Sequence, residues 1–259
     1  MSRKLPIVLV IGGHDPTGGA GVQKDIETIT SLNCHAVSLI TCLTSQNTEN
    51  FSSVNPVNPN EFAKQAKSLF SDVSIDVIKI GAIGSLKIAE KISDLLNYFK
   101  KITVVLDPVI KTSSGGTLIN KEAIEGLKSL LFPKSFLITP NLNEAKSLSG
   151  KKDLKKALEV LFSFSPKYIL MKDIEKSQKN ITNNLYSKKK LLNRWSNPRI
   201  EGKFHGTGCT LASSIASFIA RSENIQDSID LGQQFTFQSI KNAIEIGEGQ
   251  KIIKSRNEK

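Results

Sequence analysis

Leu5-Pro6-Ile7-Val8-Leu9-Val10-Ile11, running into Gly12-Gly13-His14-Asp15-Pro16-Thr17-Gly18-Gly19-Ala20-Gly21, decides the architecture of this chain. The first seven residues are continuously apolar and rich in β-branched side chains, the pattern of a strand buried on both faces. A helix is expected over about Val22–Leu32, with Ile26, Ile29 and Leu32 on one side, and a second buried strand over about Ala36–Leu43. Strand, glycine-rich loop, helix, strand is a βαβ unit. Its loop lies at the carboxyl end of its strand, where open α/β sheets bind their ligands.

The alternation continues outward. Thr44–Val57 is polar and reads as an active-site loop or short flap. Strands are expected at Val77–Ile80, Ile102–Leu106, Phe136–Ile138 and Tyr168–Met171, with helices at Glu61–Phe70, Leu86–Phe99, Lys121–Leu131, Glu144–Ser149 and Asp153–Phe162. A hairpin follows around Ser187–Lys190, then the turn Gly206-Thr207-Gly208-Cys209, its helix, and a last helix over about Asp227–Ile246. One mostly parallel sheet covered on both faces is the expected result, as a single domain over 1–259. Residues 247–259 read as a frayed tail.

Composition narrows the function classes. The chain has 259 residues, 39% of them hydrophobic, ample for a core. No apolar run approaches a membrane span, and the N-terminus opens straight into the first strand, so neither a membrane anchor nor a signal peptide is expected. Cys34, Cys42 and Cys209 are odd in number and lack metal-ligand spacing, which points to a reduced, cytoplasmic protein. The net charge of +11 comes from scattered lysines with no aromatic-plus-basic module. It reads as solvated surface rather than a nucleic-acid face, with part of the excess drawing phosphorylated ligands toward a cleft.

Polar and glycine residues follow the strands one after another: Gly-Gly-His-Asp, Ser-Gln-Asn-Thr, Gly-Ala-Ile-Gly, Asp-Pro-Val, Thr-Pro-Asn-x-x-Glu, Met-Lys-Asp and Gly-Thr-Gly-Cys. The last is a glycine turn feeding a helix N-terminus, where free N–H groups and the helix dipole favour an anion. Asp107 ends a buried strand, and Asn141 and Glu144 lie three apart. Carboxylates and an amide oxygen near such a turn suit Mg²⁺, which takes hard oxygens and retains waters. Asn141 and Glu144 read equally well as a helix cap with its capping-box glutamate.

These blocks carry a resemblance. Gly13–Gln23, Thr44-Ser45-Gln46-Asn47-Thr48, Lys79-Ile80-Gly81, Val105–Val109, Ile138–Ala145 and His205–Leu211 resemble, in order and spacing, the hydroxymethylpyrimidine and phosphomethylpyrimidine kinases of thiamine biosynthesis. The resemblance implies a ribokinase-like fold, a three-layer α/β/α sandwich. It implies ATP-dependent phosphorylation of 4-amino-5-hydroxymethyl-2-methylpyrimidine or its monophosphate, with Mg²⁺, in a homodimer; a pyridoxal-type vitamin kinase of the same fold is the alternative. Gln46 would hydrogen-bond the pyrimidine, with backbone help near Gly13 and Val109, and Ala82 would face the ring. Asp15 and Asp25 would sit at the substrate end. Gly206, Thr207, Gly208 and Cys209 would form the anion hole, and Cys209 would take the place of an aspartate base. Its position at a helix N-terminus predicts a lowered thiol pKa. Asp107, Asn141 and Glu144 would position Mg²⁺ and its waters. ATP would lie between the Thr139–Glu144 turn and the last two helices, with Lys172 on its phosphates. The sequence departs from the family at Asp173-Ile174-Glu175, where Gly-Gly-His is usual, at Ala82, where Met is common, and at His14, which replaces a small hydroxyl residue.

Overall fold

The computed structural model describes residues 5–99, 101–175 and 177–255. Strand β1 (Ile7–His14) shows why the opening run is apolar throughout: Leu9 and Ile11 enter one core, and Val8 and Val10 enter the other. Helix α1 (Gly21–Ser31) returns the chain to β2 (His35–Gln46), which pairs parallel with β1. Strand β2 extends beyond the expected Leu43 and turns back antiparallel into β3 (Phe51–Pro56), so the expected flap is a hairpin. Then come α2 (Pro59–Phe70), β4 (Val77–Ile80), α3 (Leu86–Tyr98), β5 (Thr103–Leu106), α4 (Lys121–Gly126), β6 (Leu137–Ile138), α5 (Leu142–Ser149), α6 (Leu154–Ser163) and β7 (Tyr168–Met171). The helix expected over Lys121–Leu131 changes to a π-turn at Leu127–Leu131 and a short 3-10 turn ahead of β6, where Pro133 cannot extend an α-helix.

The chain ends with β8 (Asn180–Ser187), β9 (Lys190–Pro198), β10 (Phe204–His205), α7 (Thr207–Ala220), α8 (Ile225–Lys241) and β11 (Lys251–Ile252). The main sheet has nine strands in the order β3-β2-β1-β4-β5-β6-β7-β8-β9. From β2 through β7 the pairings are parallel, and antiparallel hairpins close both edges. Helices α2 to α6 pack on one face, and α1, α7 and α8 on the other, giving the three layers. All parallel strands deliver their carboxyl ends to one edge. Helix α7 lies over β1, β4 and β5 between α1 and α8. Buried Thr210, Ser213, Ser214 and Ser217 keep it slim enough to sit close, and a Cβ at Gly232 of α8 would lie 2.8 Å from Ile215.

Two expectations about the C-terminus are corrected. The last helix stops at Lys241, and Ile244 then pairs with Ile252. The segment from 247 to 255 is docked rather than frayed; 256–259 lie outside the described residues. Strand β11 pairs with β10, and Ile252 and Ile253 are buried. Lys24, buried on α1, explains the docking: its ammonium donates to the Ile253 carbonyl and to Glu27, both at 2.6 Å. Glu27 in turn accepts from the Ser255 amide, and Thr28 meets the Ser255 hydroxyl. A buried charge needs such partners. The apolar pair Ile252-Ile253 within a charged tail was the signal for it.

Candidate active site

The strand ends and the start of α7 enclose a cleft of about 800 Å³. Gly206 begins the turn with φ 88°, and a Cβ there would fall 1.9 Å from the Gly19 carbonyl oxygen, so only glycine fits. No side chain caps α7, and its first intrahelical bond is Thr210 N–H to Gly206 O. The amides of Thr207, Gly208 and Cys209 therefore lack helical partners at the positive end of the dipole. A Cβ on Gly208 would sit 3.3 Å from Asp107 Oδ2 and 3.6 Å from Lys172 Nζ, so a side chain would intrude between the turn and these charges.

Asp107 follows β5 and is 2% exposed. Its Oδ1 accepts from Thr139 Oγ1 (2.8 Å) and Lys172 Nζ (2.7 Å), while Oδ2 has no hydrogen bond among the described residues. Burial pushes this carboxyl up, but the ammonium groups of Lys172 and Lys79 outweigh it and hold it below its ordinary value. Asn141 caps α5 and forms a complete capping box with Glu144, whose Oε2 accepts from the Asn141 amide at 2.7 Å. The cap reading is thus realised, and Glu144 Oε1 has no hydrogen bond among the described residues. Burial first, and then the Asp107 charge, push Glu144 up to about 7 against the pull of Lys172. No group of three or more His, Cys, Asp or Glu suited to a metal occurs among the described residues. Two carboxylates that repel one another, each keeping an oxygen uncommitted, nevertheless fit a Mg²⁺ that takes its remaining ligands from water and phosphate.

Every residue expected at the site lines this cleft except Thr139. Thr139 is fully buried and orients Asp107, so its expected nucleotide contact is withdrawn. Asp15 and Asp25 also have roles other than substrate binding. Asp15 accepts from Thr17, the Ala20 amide and His205 Nε2 (2.8 Å), which ties the glycine-rich loop together. Burial would raise its pKa, but those hydrogen bonds hold it down. Asp25 takes both oxygens to Lys79 Nζ (2.7 and 2.8 Å) and accepts from Ser213 Oγ (2.7 Å), all buried beneath the first turns of α7.

The expected lowering of the Cys209 pKa is overturned. Burial pushes the thiol up to about 11, and the nearby carboxylates of Asp25 and Asp107 add to it against the pull of Lys79 and the Gly21 amide. At the other end of the cleft, Gln46 Nε2 donates to Thr44 Oγ1 (3.0 Å) at the end of β2, and the Ala82 carbonyl accepts from Thr41 (2.6 Å). Gly13 has no room for a side chain, since a Cβ would meet Cys42 Sγ at 2.9 Å. The Val109 amide closes a tight turn onto the Asp107 carbonyl.

The acidic departure at 173–175 is neutralised locally. Asp173 pairs with Arg199 (2.5 Å), and Glu175 pairs with Arg194 and accepts from Thr182. Lys79 was quoted in a motif without a role; an ammonium within the otherwise apolar run Val77–Ile80 was its signal. It is fully buried, and although burial opposes its charge, the carboxylates of Asp25 and Asp107 hold it protonated. The link from His205 Nδ1 to Ser113 Oγ (2.9 Å) had no sequence signal, because its partners lie far apart in the chain.

The family model for phosphomethylpyrimidine kinase matches residues 15–254. A bifunctional thiamine biosynthesis protein of Geobacter sulfurreducens is 34% identical over 96% of this chain, which spans 52% of that protein's length. The hydroxymethylpyrimidine/phosphomethylpyrimidine kinase of Aquifex aeolicus is 33% identical, with 95% of this chain and 99% of that one aligned. Among solved structures, the pyridoxal kinase of Staphylococcus aureus in complex with AMP-PCP and pyridoxal superposes with a TM-score of 0.87 at 25% identity, covering 98% and 94% of the two chains. The chain therefore belongs to the phosphomethylpyrimidine kinase family and has its ribokinase-like fold.

Proposed function

We propose that this chain transfers the terminal phosphoryl group of ATP to 4-amino-5-hydroxymethyl-2-methylpyrimidine and to its monophosphate, as a step in thiamine biosynthesis. The observation that carries this reading is the uncapped N-terminus of α7, whose Gly208 lies against Asp107 and Lys172 at the end of the central strands. Phosphoryl transfer asks a protein chiefly to position its reactants and neutralise charge, and this edge supplies both. The amides of Thr207, Gly208 and Cys209 would hold the migrating group. Lys172, held charged by Asp107 and Glu144 despite its burial, would meet the nucleotide phosphates. Asp107 and Glu144 would hold Mg²⁺, with the Asn141 cap fixing the glutamate. Bound there, Mg²⁺ would neutralise phosphate charge. Gln46, with Gly13, Ala82 and Val109, would seat the aminopyrimidine.

Cys209 would take the proton of the hydroxymethyl group. Because its resting form is the thiol, this role requires prior loss of the thiol proton, and only the alcohol step needs it. No helix among the described residues is long and apolar enough to cross a membrane, and the cysteines are unpaired. A cytoplasmic location fits these features. Leu43, half exposed beside the hairpin edge, fits a homodimer, which sedimentation would test.

A pyridoxal-type substrate is the second reading, favoured by the superposition on the staphylococcal enzyme and by the small Ala82 side chain. Measuring ADP release with the pyrimidine alcohol, its monophosphate and pyridoxal decides between them. Turnover of the pyrimidines is expected; turnover of pyridoxal alone would replace the first reading with the second, and tight binding without ADP release would end both.

A further inference from the structure

We infer that the C-terminal strap, residues 248–255, buttresses from behind the 111–117 loop that lines the cleft, and that Gln250 and Ser113 are positioning residues for the acceptor substrate. This rests on the kinase reading above. A continuous hydrogen-bond chain carries it. Asp15 Oδ2 meets His205 Nε2 at 2.8 Å, His205 Nδ1 meets Ser113 Oγ at 2.9 Å, and Ser113 Oγ donates to Gln250 Oε1 at 2.6 Å. The Gln250 amide N–H continues it to the Thr48 carbonyl at the tip of the β2–β3 hairpin, 2.9 Å away.

The chain therefore joins the glycine-rich loop, the residue before the α7 turn, the loop at 111–117, the strap and the hairpin that carries Gln46. Close packing follows the same line. A Cβ on Gly19 would fall 2.4 Å from the His205 ring, one on Gly116 would fall 2.1 Å from the Phe51 ring, and one on Gly249 would fall 2.1 Å from the Thr48 carbonyl oxygen. Lys111, Thr112, Ser113 and Gly115 line the cleft directly. Ser113 is exposed, and the 111–117 loop is a turn closed on itself by Thr112 N–H to Gly116 O, Gly115 N–H to Thr112 O, Gly116 N–H to Thr112 Oγ1 and the Lys111–Thr117 bridge; as one unit it reaches His205 and Gln250 through the Ser113 hydroxyl. Its placement over the cleft therefore depends on what His205 and Gln250 hold. The strap itself is anchored independently by Lys24, Glu27 and Thr28, so removing the Gln250 side chain leaves its backbone docked.

The test uses the full chain with Ser113→Ala, Gln250→Ala, their double variant and Ser113→Thr, which keeps the hydroxyl. In the free protein, amide exchange over 112–117 should quicken about fivefold in either alanine variant, the effect of losing one neutral hydrogen bond, while 47–50, held by the Gln250 backbone amide, should not change. In turnover, KM for the pyrimidine should rise about fivefold, and no further in the double variant because both changes break one link. KM for ATP should stay within about twofold and Ser113→Thr should restore both readouts. Unchanged exchange over 112–117 would overturn the link. Faster exchange with an unmoved pyrimidine KM, or equal rises in both KM values, would overturn the positioning role. Absence of pyrimidine turnover in the unaltered chain would count against the kinase reading, and exchange alone would then decide the strap.

Discussion

The two ends of the cleft are built differently. The phosphoryl end is local: Gly206 to Cys209 form one turn on one helix, braced by Asp107 from β5 and Lys172 from β7. The ring end is assembled from afar: the ends of β1 and β4, the β2–β3 hairpin and the 111–117 loop each supply a piece, and the strap backs that loop. Chemistry that must hold a fixed charge geometry sits on the rigid part, whose donors are backbone amides. Recognition of the acceptor sits on segments that a few side-chain hydrogen bonds keep together. Changes at the first end should therefore lower the rate, and changes at the second should weaken acceptor binding.

Filling the phosphoryl end should have the largest effect. Gly208→Val places methyl groups toward Asp107 and Lys172, and kcat should fall by about a thousandfold, as when oxyanion donors are lost. Circular dichroism should show the fold intact; activity within tenfold of the original would mean that the amides are not the anion site. Cys209→Ala should lower alcohol phosphorylation about a hundredfold, while phosphorylation of the monophosphate changes little. With the thiol at about 11, only about one molecule in a thousand is thiolate at pH 8. The alcohol rate should then rise about tenfold per pH unit from 7 to 10, and the monophosphate rate should not. Equal losses in both steps, or a flat alcohol profile, would remove the base role.

Gln46→Leu moves to the other end. It should raise KM for the pyrimidine about tenfold and spare ATP, since a hydrogen-bonding group would face the ring unpaired. An unchanged KM would put the ring elsewhere. The smallest effect is a proton count. Glu144 is raised to about 7, so in metal-free protein it is protonated below that pH and ionised above it. Mg²⁺ binding should release about one proton at pH 6 and none at pH 9, read by calorimetry in buffers of differing ionisation enthalpy. Glu144→Gln should abolish the release. A release that survives this change would assign the metal to other groups and leave Glu144 as a cap alone.

This contrast also explains what the sequence revealed. Strands such as β1, over Ile7–Ile11, and Tyr168–Met171 were legible because burial on both faces leaves uninterrupted apolar runs. The phosphoryl turn was legible because its function depends on consecutive residues. Thr139 was placed near the right cleft but given a nucleotide contact that its burial denies, and the internal partners of Asp15 and Asp25 were not visible. A carboxylate or hydroxyl looks the same in sequence whether it meets a ligand or a buried partner such as Lys79 or Asp107. The thiol pKa was misread because the helix N-terminus is visible in sequence, whereas the burial and carboxylates that oppose it are not. The strap escaped notice because its partners on α1 lie more than two hundred residues away.

The most direct test is a crystal structure with ADP, Mg²⁺, aluminium fluoride and the aminopyrimidine alcohol, in which the fluoride mimics the migrating phosphoryl group. The account predicts that its fluorines lie about 3 Å from the amide nitrogens of Thr207, Gly208 and Cys209, with Lys172 beside them and the pyrimidine against Gln46. A fluoride bound away from the start of α7, with those amides facing only water, would contradict it.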